Sequence, residues 1–281
     1  MEFEHRMTAE ALPSWKDLLA QPGLNGHIVQ LYQDDEFFGA AVSHFAAEGL
    51  LRRESIITVA TAPHWDNIST RLSDKGFDLA ELRRRGQLTL LDADETLPKF
   101  LVKDMPDART FKGLAQATIK KARAENYYPR VRWWGEMVNV LYVDGNGRAS
   151  TRLEELFDEV AHEESIAIFC SFSMDKFDRS VYDGPLQDVC RTHAHLIPAE
   201  NYDLLRECVD RALAEVFGGE QRALLSSLSL SNERPEPGMP PSQALLLSLK
   251  KTLPRIADRV IDVAREYEQK ALSRNHNRSD A

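Results

Sequence analysis

Five short apolar runs, separated by segments with helical spacing, constrain the fold of this chain more than any other feature. The runs are GHIVQLYQ, SIITVAT, GQLTLLDA, RVRWWGEM and SIAIFCSFS. SIITVAT is almost continuously apolar and β-branched, which is typical of a strand buried on both faces of a sheet. Strands that alternate with helices form βαβ units with right-handed crossovers. The sequence therefore predicts an α/β fold, a three-layer α/β/α sandwich with a mainly parallel sheet.

Helical spacing of apolar residues recurs between these runs. It is present in EFFGAAVSHFAAEGLL, and PLQDVCRTHAHL is predicted as the closing helix because Pro185 suits a first helical position. The remaining predicted helices lie around Asn67–Ser73, Arg109–Glu125 and Arg152–Glu163.

The chain divides into one main domain and a C-terminal extension. The predicted parts are an N-terminal arm 1–24, the α/β domain 25–200, a helical extension 201–225, a linker 226–242 rich in Ser and Pro, an amphipathic helix 243–272 and a disordered tail 273–281.

The amphipathic helix carries an apolar seam with alternating spacings of three and four residues. This spacing is typical of the a and d positions of a coiled coil. It predicts either a homodimer through residues 243–270 or a helix packed on its own domain. Pro254 should kink this helix or begin a second one. The seam residues are Leu246, Leu249, Leu253, Ile256, Val260, Val263 and Tyr267.

Composition argues against several classes of protein. Lys and Arg total 35 against 44 Asp and Glu, a formal net charge of -9, which argues against direct binding of nucleic acid. No apolar run is long enough for a transmembrane helix. The first ten residues carry acids where a signal peptide is basic and then apolar, so we expect a cytoplasmic protein without membrane contact. The three cysteines match no zinc or thioredoxin spacing and are expected to be free thiols.

The turn after the first strand lacks the groups that bind a nucleotide. Residues 32–39, YQDDEFFG, hold three carboxylates, no glycine nest and no lysine. Carboxylates suit a helix N-terminus but repel phosphate. The sequence therefore predicts no ATP, NAD or other cofactor at this turn. It also contains neither a G-x-S-x-G elbow nor an H-E-x-x-H motif.

Several motifs in order carry a resemblance to a known family over about residues 25–200. The stretch from LYQDDEFFG to SDKGFD resembles the RecA/KaiC-type ATPase core with its phosphate loop erased. The chain is similar to the MEDS domain, the methanogen/methylotroph DcmR sensory domain, because RVRWWGEM and DVCRTHAHLIP resemble that family's "R..GEM" and "C..H.H" blocks. The resemblance implies a sensory module that binds small hydrocarbon derivatives, alone or joined to histidine kinases and DNA-binding regulators.

Ligands of open α/β sheets lie beyond the carboxyl ends of the strands. A cleft there with Tyr, Trp, His and a few polar groups suits a small, partly apolar ligand. The predicted ligand-binding residues are Tyr32, Asp34, Thr61, His64, Trp65, Arg132, Glu136, Ser171 and His193.

Some of these residues have an alternative structural interpretation. Trp65 can equally pack under a loop. Arg132 and Glu136 are four residues apart on a predicted strand and should share one face, either as a ligand-orienting pair or as a structural ion pair. His193 and His195 do not face each other on a helix, so we predict no metal site from them.

The leading hypothesis is a non-enzymatic signalling protein. Its α/β domain would bind a small ligand or a partner, and its C-terminal helices would carry the output to a histidine kinase or a transcription regulator. One alternative is an unusual small-molecule enzyme or ATPase relative that uses Glu136, His64 or His193 as an acid or base. Another is a pure protein-interaction module.

Overall fold

The computed structural model describes residues 13–123, 127–218 and 238–279. All five predicted strands are present, a sixth joins them in one parallel sheet, and two more form a short antiparallel hairpin. In chain order the strands are β1 (His27–Leu31), β2 (Ser55–Ala60), β3 (Leu88–Asp92), the hairpin β4 (Leu101–Val102) and β5 (Met105–Pro106), then β6 (Val131–Gly135), β7 (Ala167–Phe172) and β8 (His195–Ile197).

The order of strands in the main sheet is β3-β2-β6-β7-β1-β8, and every neighbouring pair is parallel. Helices cover both faces of this sheet, so the α/β fold with a parallel sheet is confirmed. The edge strand β8 lies where the sequence predicts the end of the closing helix. That helix stops at Thr192, and the residues after it pair with β1 instead.

The described helices match the predicted ones in place and add several short ones. The additions are the helices Leu79–Arg84, Ala93–Thr96 and Met137–Val143, and two 3-10 turns at Leu97–Lys99 and Arg179–Asp183. None of the described helices has the length and hydropathy needed to cross a membrane. The helices are α1 (Trp15–Ala20), α2 (Asp35–Leu51), α3 (Ala62–Asp74), α4 (Leu79–Arg84), α5 (Ala93–Thr96), α6 (Ala108–Ala122), α7 (Met137–Val143), α8 (Gly147–Glu164), α9 (Pro185–Thr192), α10 (Tyr202–Phe217), α11 (Pro241–Thr252) and α12 (Pro254–Ser279).

The sheet separates two hydrophobic cores. One core contains α1, α2 and α3 residues such as Phe38 and Phe45, and the other contains residues of α6, α8 and the C-terminal helices. Successive side chains of a strand point to opposite faces. The neighbours Trp133 and Trp134 on β6 therefore each enter a different core, and both are buried.

The predicted coiled-coil seam packs on its own chain. Leu246, Leu249 and Val260 are fully buried in the core beside α8, and the other seam residues are partly buried against it. A homodimer remains a prediction. Leu253 separates α11 from α12. Pro254 therefore begins a second helix, which is one of the two roles predicted for it.

Several predicted segments fall partly outside the described residues, namely residues 1–12 of the arm, 124–125 of the helix predicted around 109–125, 219–225 of the helical extension and 280–281 of the tail. Most of the linker, residues 226–237, lies outside them, and its last residues begin α11 at Pro241. Residues 273–279, predicted to be a disordered tail, continue α12. That stretch contains no glycine or proline to end the helix.

Arg132 joins the first helix to the sheet. Its side chain is buried, and its Nε donates to the Glu54 carboxylate. Gly49 leaves room for it, since a Cβ at that position would lie 2.7 Å from the Arg132 Cδ. The two Nη atoms donate to three backbone carbonyls, those of Leu19 at 2.8 Å, Ala20 at 3.0 Å and Phe45 at 3.1 Å.

Replacing Arg132 with Ala should lower the free energy of unfolding by about 3–5 kcal/mol, because it removes the buried partner of the Glu54 carboxylate and the donors to three backbone carbonyls. Arg130→Ala is the matched control. Arg130 lies 3.8 Å from the same carboxylate, but 66% of its side chain is exposed, so its loss should cost less than about 1 kcal/mol. Urea unfolding of both variants measures the difference, and similar losses in the two would contradict this role.

Candidate functional site

Polar side chains that follow four strands, β1, β2, β6 and β7, meet at the carboxyl edge of the sheet. Glu136 directly follows β6 and is buried. One of its carboxylate oxygens accepts from the backbone N of Thr61, after β2, at 2.5 Å. The other lies 2.5 Å from Nδ1 of His64, in the first turn of α3. We call Tyr32, His64, Glu136, Asn139 and Ser173 the carboxyl-edge site.

The histidine of this site connects a buried carboxylate to the surface. The side chain of His64 is 22% exposed, whereas that of Glu136 is 2% exposed. The ring packs 4.3 Å from the ring of Phe38 and 6.3 Å from that of Tyr32. The hydrogen bond to Glu136 raises the pKa of His64 despite its partial burial. The pair can therefore hold a proton close to the surface.

A hydrogen-bonded chain links Tyr32 to the loop after β7. The Tyr32 hydroxyl accepts from Nδ2 of Asn139 at 3.3 Å. Oδ1 of Asn139 accepts from the backbone N of Ser173 at 2.9 Å and from its hydroxyl at 3.0 Å. Burial, reinforced by the Glu136 charge, raises the pKa of Tyr32 well above its ordinary value. The phenol therefore stays neutral at physiological pH.

Three other predicted ligand residues have structural contacts. Asp34 caps the N-terminus of α2, where its carboxylate accepts from the backbone N of Phe37 at 2.8 Å. Trp65 is partly buried against the core of α2, which matches its packing interpretation. Ser171 lies inside the sheet, where its hydroxyl accepts from Nε1 of Trp134 at 3.2 Å and donates to Gln30 at 3.3 Å.

Arg132 and His193 lie away from the carboxyl-edge site. Because β6 ends at Gly135, Arg132 and Glu136 do not share a strand face, and Arg132 pairs with Glu54 instead. His193 is buried among residues on the α8 side of the sheet. Of the predicted ligand-binding residues, the structure brings together Tyr32, Thr61, His64 and Glu136.

Sequence reasoning missed Asn139 and Phe38 as neighbours of this site. Asn139 belongs to α7, a seven-residue helix that begins directly after Glu136. A helix predicted from this point would place Asn139 one turn after Glu136 and on the same face. Phe38 carries no comparable signal, since its spacing is that of an ordinary core residue of α2.

A parallel sheet with helices on both faces and a polar carboxyl edge defines a parallel α/β domain. The family model described as the methanogen/methylotroph, DcmR sensory domain (MEDS) matches residues 26–194, more than half of the chain. The chain belongs to the MEDS family, as its motifs predict. Comparison with curated proteins gives no match. The RecA/KaiC likeness remains a prediction.

Replacing Glu136 with Gln should lower the pKa of His64, because the raising hydrogen bond is lost while burial still opposes protonation. Protonated His64 stabilises the folded state in the wild type. The wild type should therefore have a higher free energy of unfolding than the variant, and the difference should be largest below about pH 6.5, the ordinary histidine pKa. The difference should fade as the pH rises through the raised pKa. NMR titration of the ring measures the shift.

The control variant for this titration is Glu155→Gln, which removes a carboxylate from α8 that is 40% exposed. We expect it to leave the His64 titration unchanged. An unchanged titration in Glu136→Gln would show that Glu136 does not hold the His64 proton.

Proposed function

We propose that this protein is a small-molecule sensor that signals through its C-terminal helices. Its MEDS membership supports the sensory role. The observation that carries the proposal is the loop of residues 173–184, between β7 and α9. This loop contacts the carboxyl-edge site, a neighbouring cavity and helix α12.

The cavity has a volume of about 430 Å³, within the range of about 300–1,000 Å³ that small-molecule sites occupy. It lies between α8, α9 and the β4–β5 hairpin. Its charged lining residues are three arginines and three acids, namely Arg148, Arg152, Arg191, Glu154, Glu155 and Asp188. Arg152 pairs with Glu155 and Arg191 with Asp188, so these charges are largely balanced. Such a lining suits a small, largely apolar molecule with one polar group, as in a hydrocarbon derivative. The apolar lining comprises Met105, Tyr142, Phe172, Met174 and Val189.

The start of the loop is tied to both ligand-facing regions. Ser173 donates twice to Asn139 of the carboxyl-edge site, as described above. The next residue, Met174, lines the cavity. A molecule bound in the cavity would therefore contact Met174, directly beside Ser173, which donates to Asn139 in the carboxyl-edge site.

The rest of the loop is tied to α12 by three ion pairs. Asp175 pairs with Arg265 at 2.8 Å, Lys176 with Glu268 at 3.1 Å, and Arg179 with Asp262 at 2.9 Å. These pairs involve three successive turns of α12. A ligand that binds one arrangement of the loop more tightly would increase the population of that arrangement. The ion pairs would then move α12 with the loop. A histidine kinase, a transcription regulator or a second copy of the chain would read the shift.

The enzyme alternative receives partial support from the structure. His64 and Glu136 are in contact and could exchange a proton with a substrate. His193, the third residue considered for that role, lies in a separate buried cluster. We therefore propose a non-enzymatic role, in which the His64–Glu136 pair orients or senses rather than transforms a ligand.

Filling the cavity should weaken binding. We expect saturation-transfer NMR to detect binding from a panel of short alcohols and the corresponding carboxylates to the full chain. Met105→Trp should weaken this binding at least about tenfold, a loss of about 1.4 kcal/mol. Val102→Trp is the control, because Val102 pairs with Met105 in the hairpin but is 59% exposed. Binding by no member of the panel, or binding unaffected by Met105→Trp, would contradict a sensory cavity.

Cutting the loop from α12 should separate binding from signalling. In the wild type, a bound panel member should change amide hydrogen exchange in residues 254–274. Arg265→Ala, which breaks the pair with Asp175, should reduce this change while binding persists. Lys270→Ala is the control, since Lys270 pairs with Glu266 within α12 itself. Binding without any change of exchange in wild-type α12 would refute signalling through this helix.

A further inference from the structure

Four residues of types that ligate metals meet inside the core on the α8 side of the sheet. His27 begins β1, Glu154 belongs to α8, Cys170 to β7, and His193 follows α9. All four are buried. One donor atom from each lies within 4.8 Å of those of the other three. We call these residues the four-residue cluster.

The orientation of His193 favours a cation in this cluster. Its Nδ1 lies 2.6 Å from the carbonyl oxygen of Val189, which can only accept, so Nδ1 carries the hydrogen. In the neutral ring, Nε2 then presents a lone pair. That atom is buried without a hydrogen-bond partner and lies 3.3 Å from the carboxylate of Glu154. Two acceptors at this distance repel each other unless a metal ion or a proton lies between them.

Four of the six distances between the donor atoms match those expected around a tetrahedral ion. Glu154 Oε2 lies 3.2 Å from Nε2 of His27 and 3.3 Å from Nε2 of His193. Cys170 Sγ lies 3.5 Å from Nε2 of His27 and 3.5 Å from Glu154 Oε2. Tetrahedral ligands at ordinary zinc distances are separated by about 3.3 Å for nitrogen and oxygen and about 3.6 Å where one is sulfur.

We infer that the four-residue cluster binds one zinc ion or a similar divalent transition metal. Its ligands would be the Cys170 thiolate, the Glu154 carboxylate and the Nε2 atoms of His27 and His193. Imidazole and thiolate are donors that favour zinc. The two anionic ligands balance the charge of a divalent ion, so the buried site is neutral. Four protein ligands fill the tetrahedron, which is typical of a structural site.

The surroundings of both histidines resemble the outer ligand shell of a metal site. Metal-bound histidines usually direct their other ring nitrogen to a carbonyl or carboxylate. Nδ1 of His193 donates to Val189, and Nδ1 of His27 lies 3.6 Å from the carboxylate of Asp158. The hydrogen bond to Val189 orients the His193 ring so that Nε2 faces the cluster, whereas the Asp158 carboxylate is an electrostatic neighbour of His27 without a hydrogen bond to Nδ1.

The competing arrangement is an ion pair between protonated His27 and Glu154. Burial opposes the charge on His27, but Asp158 and Glu154 outweigh it and raise its pKa to about 9. A proton on His27 leaves the lone pair of His193 facing Glu154, whereas one zinc ion satisfies all four donors. The two arrangements differ in whether a metal and a sulfur ligand are present.

The test uses the full chain, loaded with zinc and dialysed against metal-free buffer. Elemental analysis should find about one zinc per chain, and X-ray absorption should show one sulfur at about 2.3 Å with three nitrogen or oxygen ligands at about 2.0 Å. Loss of zinc on dialysis, or a shell without sulfur, would overturn the inference. This measurement needs no variant and therefore does not depend on a variant's folding.

A matched pair of cysteine variants locates the site. The cobalt-loaded wild type should show a thiolate-to-cobalt charge-transfer band. Cys170→Ser should lose that band, whereas Cys208→Ser should keep it, because Cys208 is a buried thiol of α10 outside the cluster. Circular dichroism verifies the fold of both variants. A band that persists in folded Cys170→Ser would overturn the assignment.

Discussion

Because both faces of the main sheet are covered, every ionisable side chain within its layers needs a partner inside the protein. Arg132 meets this requirement with Glu54 and three carbonyls, and Glu136 meets it with His64 and a backbone amide. Each pair connects elements that are far apart in sequence. The same constraint therefore holds α1 on the sheet and assembles the carboxyl edge.

The sequence predicts the fold better than it predicts the site. The five long strands are continuous apolar runs, so their local pattern identifies them. The strand β8 has only three residues and depends on pairing with β1. Local pattern therefore cannot distinguish it from the end of a helix. Short helices such as α7 fail for the same reason, since one or two turns show too little periodicity.

The buried clusters show a second limit of sequence reasoning. His195 is the neighbour of His193 in the sequence, but in the structure His193 lies beside His27, Glu154 and Cys170, which belong to three other elements. The separation of Arg132 from Glu136 has the same origin. Strand order and helix ends decide which charges meet, and neither can be derived from spacing alone. Tyr32, Thr61, His64 and Glu136 come together because parallel strands end at a common edge, and their role in ligand binding stays a prediction.

The docking of the C-terminal helices limits how a signal can leave the domain. Leu246, Leu249, Val260 and Ile261 are fully buried against the α8 side, and exposing four such side chains would cost on the order of 10 kcal/mol. Allosteric ligands usually contribute about 1–3 kcal/mol of coupling. Release of α11 and α12 is therefore beyond the reach of a small ligand. If the C-terminal helices carry the output as proposed, the change would therefore be a slide or rotation of docked helices.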